Sequence, residues 1–221
     1  MDLTGIGLYT LKEAERLTGA DAREVSRWLF GYTFKDGSSP PLWTTQLAEL
    51  GEKAIGFRDL LELRVVKAFR SHNVPLRVIR AAIENAKAIF GMDYPFTANR
   101  FLTDGKSVFY EALHEHGESE LTDLVKRQMV FEHIVRPELY VGIEFAADGR
   151  ARRWFPLPKS NIVVLDPEIS FGKPILADYG VRTDLVFKTY EVEKSKKMAA
   201  SIFGIPVAAV DAAIRYERLA A

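Results

Sequence analysis

Thr10 opens a run in which Leu11, Ala14 and Leu17 fall at helical spacing, and Glu13 stands three positions behind the threonine. That pairing is a capping box: the hydroxyl satisfies a first-turn amide and the carboxylate reaches back to the N–H of the cap. Gly19 ends the element, and Asp21 caps a second helix from Ala22 to about Phe30. Val25, Trp28 and Leu29 point inward on that helix, leaving Arg23, Ser26 and Arg27 outside. Two short amphipathic helices joined by about three residues, one of them glycine, predict a helix-turn-helix.

The chain downstream is punctuated often. Asp36-Gly37-Ser38-Ser39-Pro40-Pro41 is dense in turn residues and precedes Leu42–Leu47, which has strand composition. A hairpin behind a helix-turn-helix reads as a wing. Phe57 to about His72 forms a strong helix, Asn73-Val74-Pro75 breaks it, and Leu76–Phe90 forms another that Gly91 closes. Hairpins are expected around Asp104-Gly105 (Arg100–Leu102 with Ser107–Phe109) and Asp148-Gly149 (Tyr140–Phe145 with Arg150–Phe155), with a helix from Glu120 to about Val135 between them. Pro156 and Pro158 mark a boundary. A short strand, Ile162–Leu165, and three helices follow, at roughly Thr183–Tyr190, Glu193–Phe203 and Val207–Leu219.

The expected fold class is mainly α with small β hairpins (α+β). A winged helix-turn-helix occupies residues 1–91, an α+β middle segment residues 92–156, and a three-helix, helix-turn-helix-like domain residues 157–221. Thirty basic and thirty acidic side chains cancel, but the three segments carry +2, −3 and +1. That asymmetry names no partner by itself. Without cysteine there is no disulfide framework, thiolate zinc site or thiol nucleophile. The start Met1-Asp2-Leu3-Thr4 has no basic or apolar leader, so a cytoplasmic protein is expected.

Chemistry-bearing motifs are sparse. Arg23, Ser26 and Arg27 would ride a recognition helix in the major groove, where arginine grips guanine and serine meets a phosphate or base edge. Tyr32 and Lys35 would reach the flanking backbone. The same face also serves as the solvated side of a structural helix pair. Lys194, Lys196 and Lys197 cluster at the expected start of a helix, an awkward place for cations that hints at an anionic partner. His114 and His116 flank Glu115 with no further ligands at motif spacing, and His72 ends a helix as a cap would. Gly172-Lys173-Pro174 is not a phosphate loop. Asp166, Glu168 and Asp178 lie close enough to hold Mg²⁺ in a nuclease, yet Asp-Pro-Glu is commonly turn chemistry. No catalytic residue, metal or cofactor is expected.

Leu165-Asp166-Pro167, Gly172-Lys173-Pro174-Ile175, Val181-Arg182-Thr183 and Val210–Tyr216 follow one another in an order that resembles a bacterial domain family of antitoxins of the VapB type. That resemblance covers residues 162–219 and implies a PIN-like ribonuclease toxin as partner. Relatives carry a tight Gly-Thr-Arg-Ile-Pro where this chain has Ala177-Asp178-Tyr179-Gly180 inserted and no proline after Arg182. Tyr9–Ala14, Arg23–Trp28 and Ile55–Leu61 are similar to the winged helix of MerR-type regulators over about residues 8–90, without that family's long dimerisation helix. Together the two resemblances imply an antitoxin that binds operator DNA and neutralises its toxin by contact. Reading two half-sites calls for a homodimer. For the toxin contact two readings stay open: the acidic middle segment facing a basic RNA channel, or, favoured here, a C-terminal cation in the toxin's acidic metal site, with Arg182 and Lys188 as toxin-binding residues. A free-standing MerR-like regulator is the alternative.

Overall fold

The computed structural model describes residues 3–99, 101, 105, 107–108, 139–157 and 160–219. The chain divides into two compact units. The N-terminal unit holds residues 9–141 and 145–151, and the C-terminal unit residues 1–8, 142–144 and 152–221.

In the N-terminal unit, α1 (Leu11–Thr18) begins at the capping box, where Glu13 N donates to Thr10 Oγ1 at 3.2 Å and Thr10 N to Glu13 Oε2 at 2.8 Å. Gly19 leaves the helix with φ 70°, a conformation that costs glycine nothing. Asp21 then accepts from Arg23 N at 2.8 Å and starts α2 (Ala22–Phe30), while Glu15 Oε1 accepts from Ala22 N. Val25, Trp28 and Leu29 are buried, as their spacing predicts.

Strands β1 (Tyr32–Phe34) and β2 (Gly37–Ser39) follow at once, paired antiparallel with Tyr32 opposite Ser39 and Phe34 opposite Gly37. The hairpin therefore lies earlier than the sequence suggested, and Leu42–Leu47 is not a strand. Leu42, Trp43, Thr45 and Leu47 are buried instead. Their apolar character serves packing, and their irregular backbone is held by a side chain: Gln46 N donates to Asp59 Oδ2 at 3.0 Å.

Two longer helices follow, α3 (Phe57–Ser71) and α4 (Leu76–Phe90). His72 closes α3, with its ring Nδ1 3.0 Å from Ala68 O. Phe96 packs between Phe69 and Phe101, at centroid distances of 5.7 and 4.7 Å. Phe101, Gly105, Ser107 and Val108 are helical, not halves of a hairpin. Phe101 and Val108 are buried, and Gly105 carries no Cβ where one would meet the Phe101 ring at 2.7 Å. Close packing on that ring outweighs the turn preference of Asp-Gly. The expected helix at 120–135 and the pair His114 and His116 lie outside the described residues.

Strands β3 (Ile143–Phe145) and β4 (Ala151–Trp154) form the hairpin expected around Asp148-Gly149. In the C-terminal unit, Trp154 and Leu165 exchange both backbone hydrogen bonds. A three-stranded antiparallel sheet follows, ordered β5 (Val163–Val164), β6 (Ile175–Leu176), β7 (Val181–Arg182). Leu8 N donates to Phe171 O at 2.9 Å, so the first residues of the chain belong with this unit.

Helices α5 (Thr183–Glu193), α6 (Lys196–Phe203) and α7 (Val207–Leu219) close around Val186, Ala199, Ile205, Val210, Ala213 and Ile214. Helix α6 starts later than expected, which takes Lys194 out of its first turn, while Lys196 and Lys197 stand there as expected. Lys194 closes α5 in a left-handed conformation (φ 51°), at the helix end that favours a cation. Ser195 caps α6 by accepting from Met198 N, and Lys196 pairs with Asp211 at 2.5 Å. The axes of α6 and α7 turn by 107° across Gly204–Pro206. Among the described residues no single helix is long and apolar enough to cross a membrane.

Candidate nucleic-acid interface

Helix α2 turns its buried stripe inward, and this leaves Arg23 and Arg27 exposed four residues apart on the opposite side. Ser26, between them, is half-buried. Its hydroxyl accepts a hydrogen bond from Lys53 Nζ at 3.0 Å, and the same ammonium lies 5.7 Å from the centroid of Phe30. Glu24 points elsewhere, toward Lys67 at 3.6 Å.

The hairpin continues this surface. The Arg27 guanidinium lies 5.4 Å from the centroid of the Tyr32 ring, and the Tyr32 and Phe34 rings are 5.9 Å apart. Lys35 is exposed in the turn between the strands. Gly31 fixes how the hairpin leaves α2. It has φ 70°, and a Cβ there would meet Ser39 O at 2.6 Å. The far end is held too, since Arg80 donates from Nη1 to Pro41 O at 2.5 Å and from Nη2 to Pro40 O at 2.9 Å.

Beneath the surface, Asp59 ties the 42–56 segment to the start of α3. Its carboxylate accepts from Trp43 Nε1 at 2.8 Å, Gly56 N at 2.9 Å and Gln46 N at 3.0 Å. Burial pushes its pKa up to about 6, even though these three donors favour the charged form. Gln46 Oε1 accepts from Arg58 N at 2.7 Å. The segment carrying Lys53 is thus held by buried polar bonds.

The residues assigned by sequence to DNA, Arg23, Ser26, Arg27, Tyr32 and Lys35, all lie on α2 and the hairpin. Two more belong to the same surface. Phe34 is 53 % exposed, and Lys53 reaches Ser26 from 27 positions away in sequence. Phe34 alternates with Tyr32 on a strand and could have been found by that period. No local signal marks Lys53.

Arg182 and Lys188 meet at Asp184 in the C-terminal unit. Arg182 donates from Nε and Nη2 to the two oxygens of Asp184, at 3.0 and 2.8 Å, and Lys188 Nζ lies 3.8 Å away. Partial burial pushes the Asp184 pKa up, but Arg182 and then Lys188 hold it below the usual carboxylate range. Asp166 accepts from Glu168 N at 3.0 Å, which is turn chemistry, and among the described residues no three His, Asp or Glu side chains gather as a metal site.

No protein-family model matches the chain. It is 29% identical over 216 residues to a protein of Mycobacterium tuberculosis (strain ATCC 25618 / H37Rv) named "Putative antitoxin VapB45", covering 90% of this chain and 89% of that one. A crystal structure of Rv2018 from Mycobacterium tuberculosis matches with TM-score 0.66 and 23% identity, over 96% of this chain and 98% of that one. This second likeness is one of fold.

Proposed function

We propose that this protein is the antitoxin of a toxin–antitoxin pair. The observation that carries the reading is the correspondence, over nine-tenths of both chains, with a protein named as an antitoxin. In this reading α1 and α2 act as a helix-turn-helix and β1–β2 as its wing. Arg23 and Arg27 enter the major groove of operator DNA, while Tyr32 and Lys35 approach the flanking phosphates. Two copies bind two half-sites, because one reading head of this size gives limited specificity.

The partner is a PIN-like ribonuclease, neutralised by direct contact. Arg182 and Lys188 supply the contact to its acidic metal site, a charge-assisted interaction that is strong where water is excluded. Arg182 must then exchange Asp184 for a carboxylate of the toxin, whereas Lys188, 72% exposed at its side chain, is free to extend.

Co-expression with the neighbouring gene of the operon, tagging only this chain, tests the reading. Co-elution of a small PIN-like protein, toxic when expressed alone, is the expected result. If this chain elutes alone and still retards its promoter DNA, it is a free-standing regulator and the toxin-binding half of the proposal falls.

A further inference from the structure

Three of the exposed side chains form a connected series that phosphate contact does not account for. Arg27, Tyr32 and Phe34 lie successively 5.4 and 5.9 Å apart, so the outer face of α2 runs directly into an aromatic face on the hairpin. Tyr32 is 39 % and Phe34 53 % exposed. Phenylalanine has no polar atom to offer a phosphate. Its ring covers part of Gly37 across the hairpin, lying 3.1 Å from where a Cβ would stand, and still leaves half its surface to water. An apolar ring held out on a hairpin pinned at both ends, by Gly31 and by Arg80, is presented rather than packed.

The charges around it argue for the occupant. Arg23, Arg27 and Lys53 come from two separate segments and surround Ser26, and Lys35 stands next to Phe34 in the turn. Asp36 is the acid in that turn. Cations beside an aromatic pair suit a polyanion whose interior is apolar, as duplex DNA is: phosphates for the cations, deoxyribose and base edges for the rings. The strands are three residues long, about 10 Å. An arm of that length, leaving the C-terminal end of a helix seated in the major groove, reaches the adjacent minor groove.

We propose that Phe34, backed by Tyr32, is an apolar DNA contact that enters the minor groove beside the site read by α2. This rests on the operator-binding half of the proposed function and deepens it, changing Tyr32 from a phosphate contact to the inner support of a wedge. Such a contact has a signature distinct from a cation's. It contributes affinity without releasing counterions, so it leaves the salt dependence of binding unchanged.

The test uses the full chain and a fluorescein-labelled duplex spanning the region upstream of its own gene, titrated at several salt concentrations. Phe34→Ala is expected to weaken binding about tenfold, with the slope of log K against log salt as in the unaltered protein. Phe34→Leu, which restores an apolar wedge, should recover most of the loss. Lys35→Ala should lower the slope by about one. Thermal melting of each variant shows that the fold is kept. Unchanged affinity in Phe34→Ala overturns the wedge and leaves the operator-binding proposal standing. Loss of toxin neutralisation in Phe34→Ala with normal DNA binding also overturns it, and makes this face a protein contact. An unaltered protein that does not bind the duplex sinks the operator-binding proposal itself, and the wedge with it.

Discussion

Glu62 is fully enclosed in the N-terminal unit, where one carboxylate oxygen accepts from Thr97 N at 2.9 Å and Thr97 Oγ1 at 3.1 Å and the other has no hydrogen-bond partner. Burial lifts its pKa from the ordinary 4.5 to about 8, against the opposing influence of Thr97 and Lys87. The folded chain therefore holds a proton that the unfolded chain releases. That contribution to stability is fully present below about pH 4.5 and is lost as pH rises toward about 8. Asp59 acts in the same direction, from 3.8 to about 6. Glu62→Gln keeps an acceptor for Thr97 and removes the titration. Denaturant unfolding of this variant should show a flatter decline between pH 5 and 8 than the unaltered chain, by on the order of a few kcal/mol. Parallel curves for the two proteins would mean that Glu62 is ionised in the fold. Gly31 supports a second residue-scale expectation. Gly31→Ala forces a side chain into left-handed backbone and onto Ser39 O, 2.6 Å from the new Cβ. The hairpin should shift, with a stability loss of about 1–3 kcal/mol by thermal melting and weaker binding to promoter DNA.

At the level of elements, caps and breaks carried most of the prediction. Thr10 with Glu13, Gly19 and Asp21 set the limits of α1 and α2, because those limits depend on residues within one turn of each other. Thr10→Ala should therefore destabilise the unit by about 1 kcal/mol, measured by its unfolding midpoint. Where a boundary depended on distant packing, the sequence misled. Leu42–Leu47 has the composition of a strand, but Leu42, Trp43, Thr45 and Leu47 are buried and its backbone bonds go elsewhere than to a strand, Leu42 N to Trp28 O and Gln46 N to Asp59, thirteen residues on. The true strands are three residues each and joined by Lys35-Asp36; the Asp36-Gly37 pair falls one position late for the turn, its glycine already standing in β2 opposite Phe34. Phe101 and Gly105 show the reverse error, with a turn signal overridden by ring packing. Of the lysines after Glu193, only Lys194 changes place, to the left-handed end of α5; Lys196 and Lys197 stand in the first turn of α6 behind the capping Ser195, as their sequence position suggested. On the candidate interface, the α2 residues were legible from helical period. Lys53 was not, since its place beside Ser26 is set by how the 42–56 segment is tied down.

For the whole molecule, the two units each have their own core, and the two proposed activities are assigned to different ones. Arg23, Arg27 and the hairpin lie in the N-terminal unit, Arg182 and Lys188 in the C-terminal unit. If this division of labour holds, the activities should separate by mutation in the full chain. Lys188→Glu sets a second carboxylate beside Asp184, which Arg182 already neutralises with two hydrogen bonds. The cost to folding should be small, because exposed pairs of this kind contribute at most about 1 kcal/mol. The cost to a contact with an acidic metal site should be large, because an attraction becomes a repulsion. The variant should therefore fail to inhibit the partner ribonuclease in a titrated cleavage assay, and retard promoter DNA as the unaltered chain does. Arg27→Ala should give the converse, with weakened DNA binding and intact inhibition. Joint loss of both activities in either variant, with the fold preserved, would place DNA and toxin on one shared surface and end the assignment of one activity to each unit.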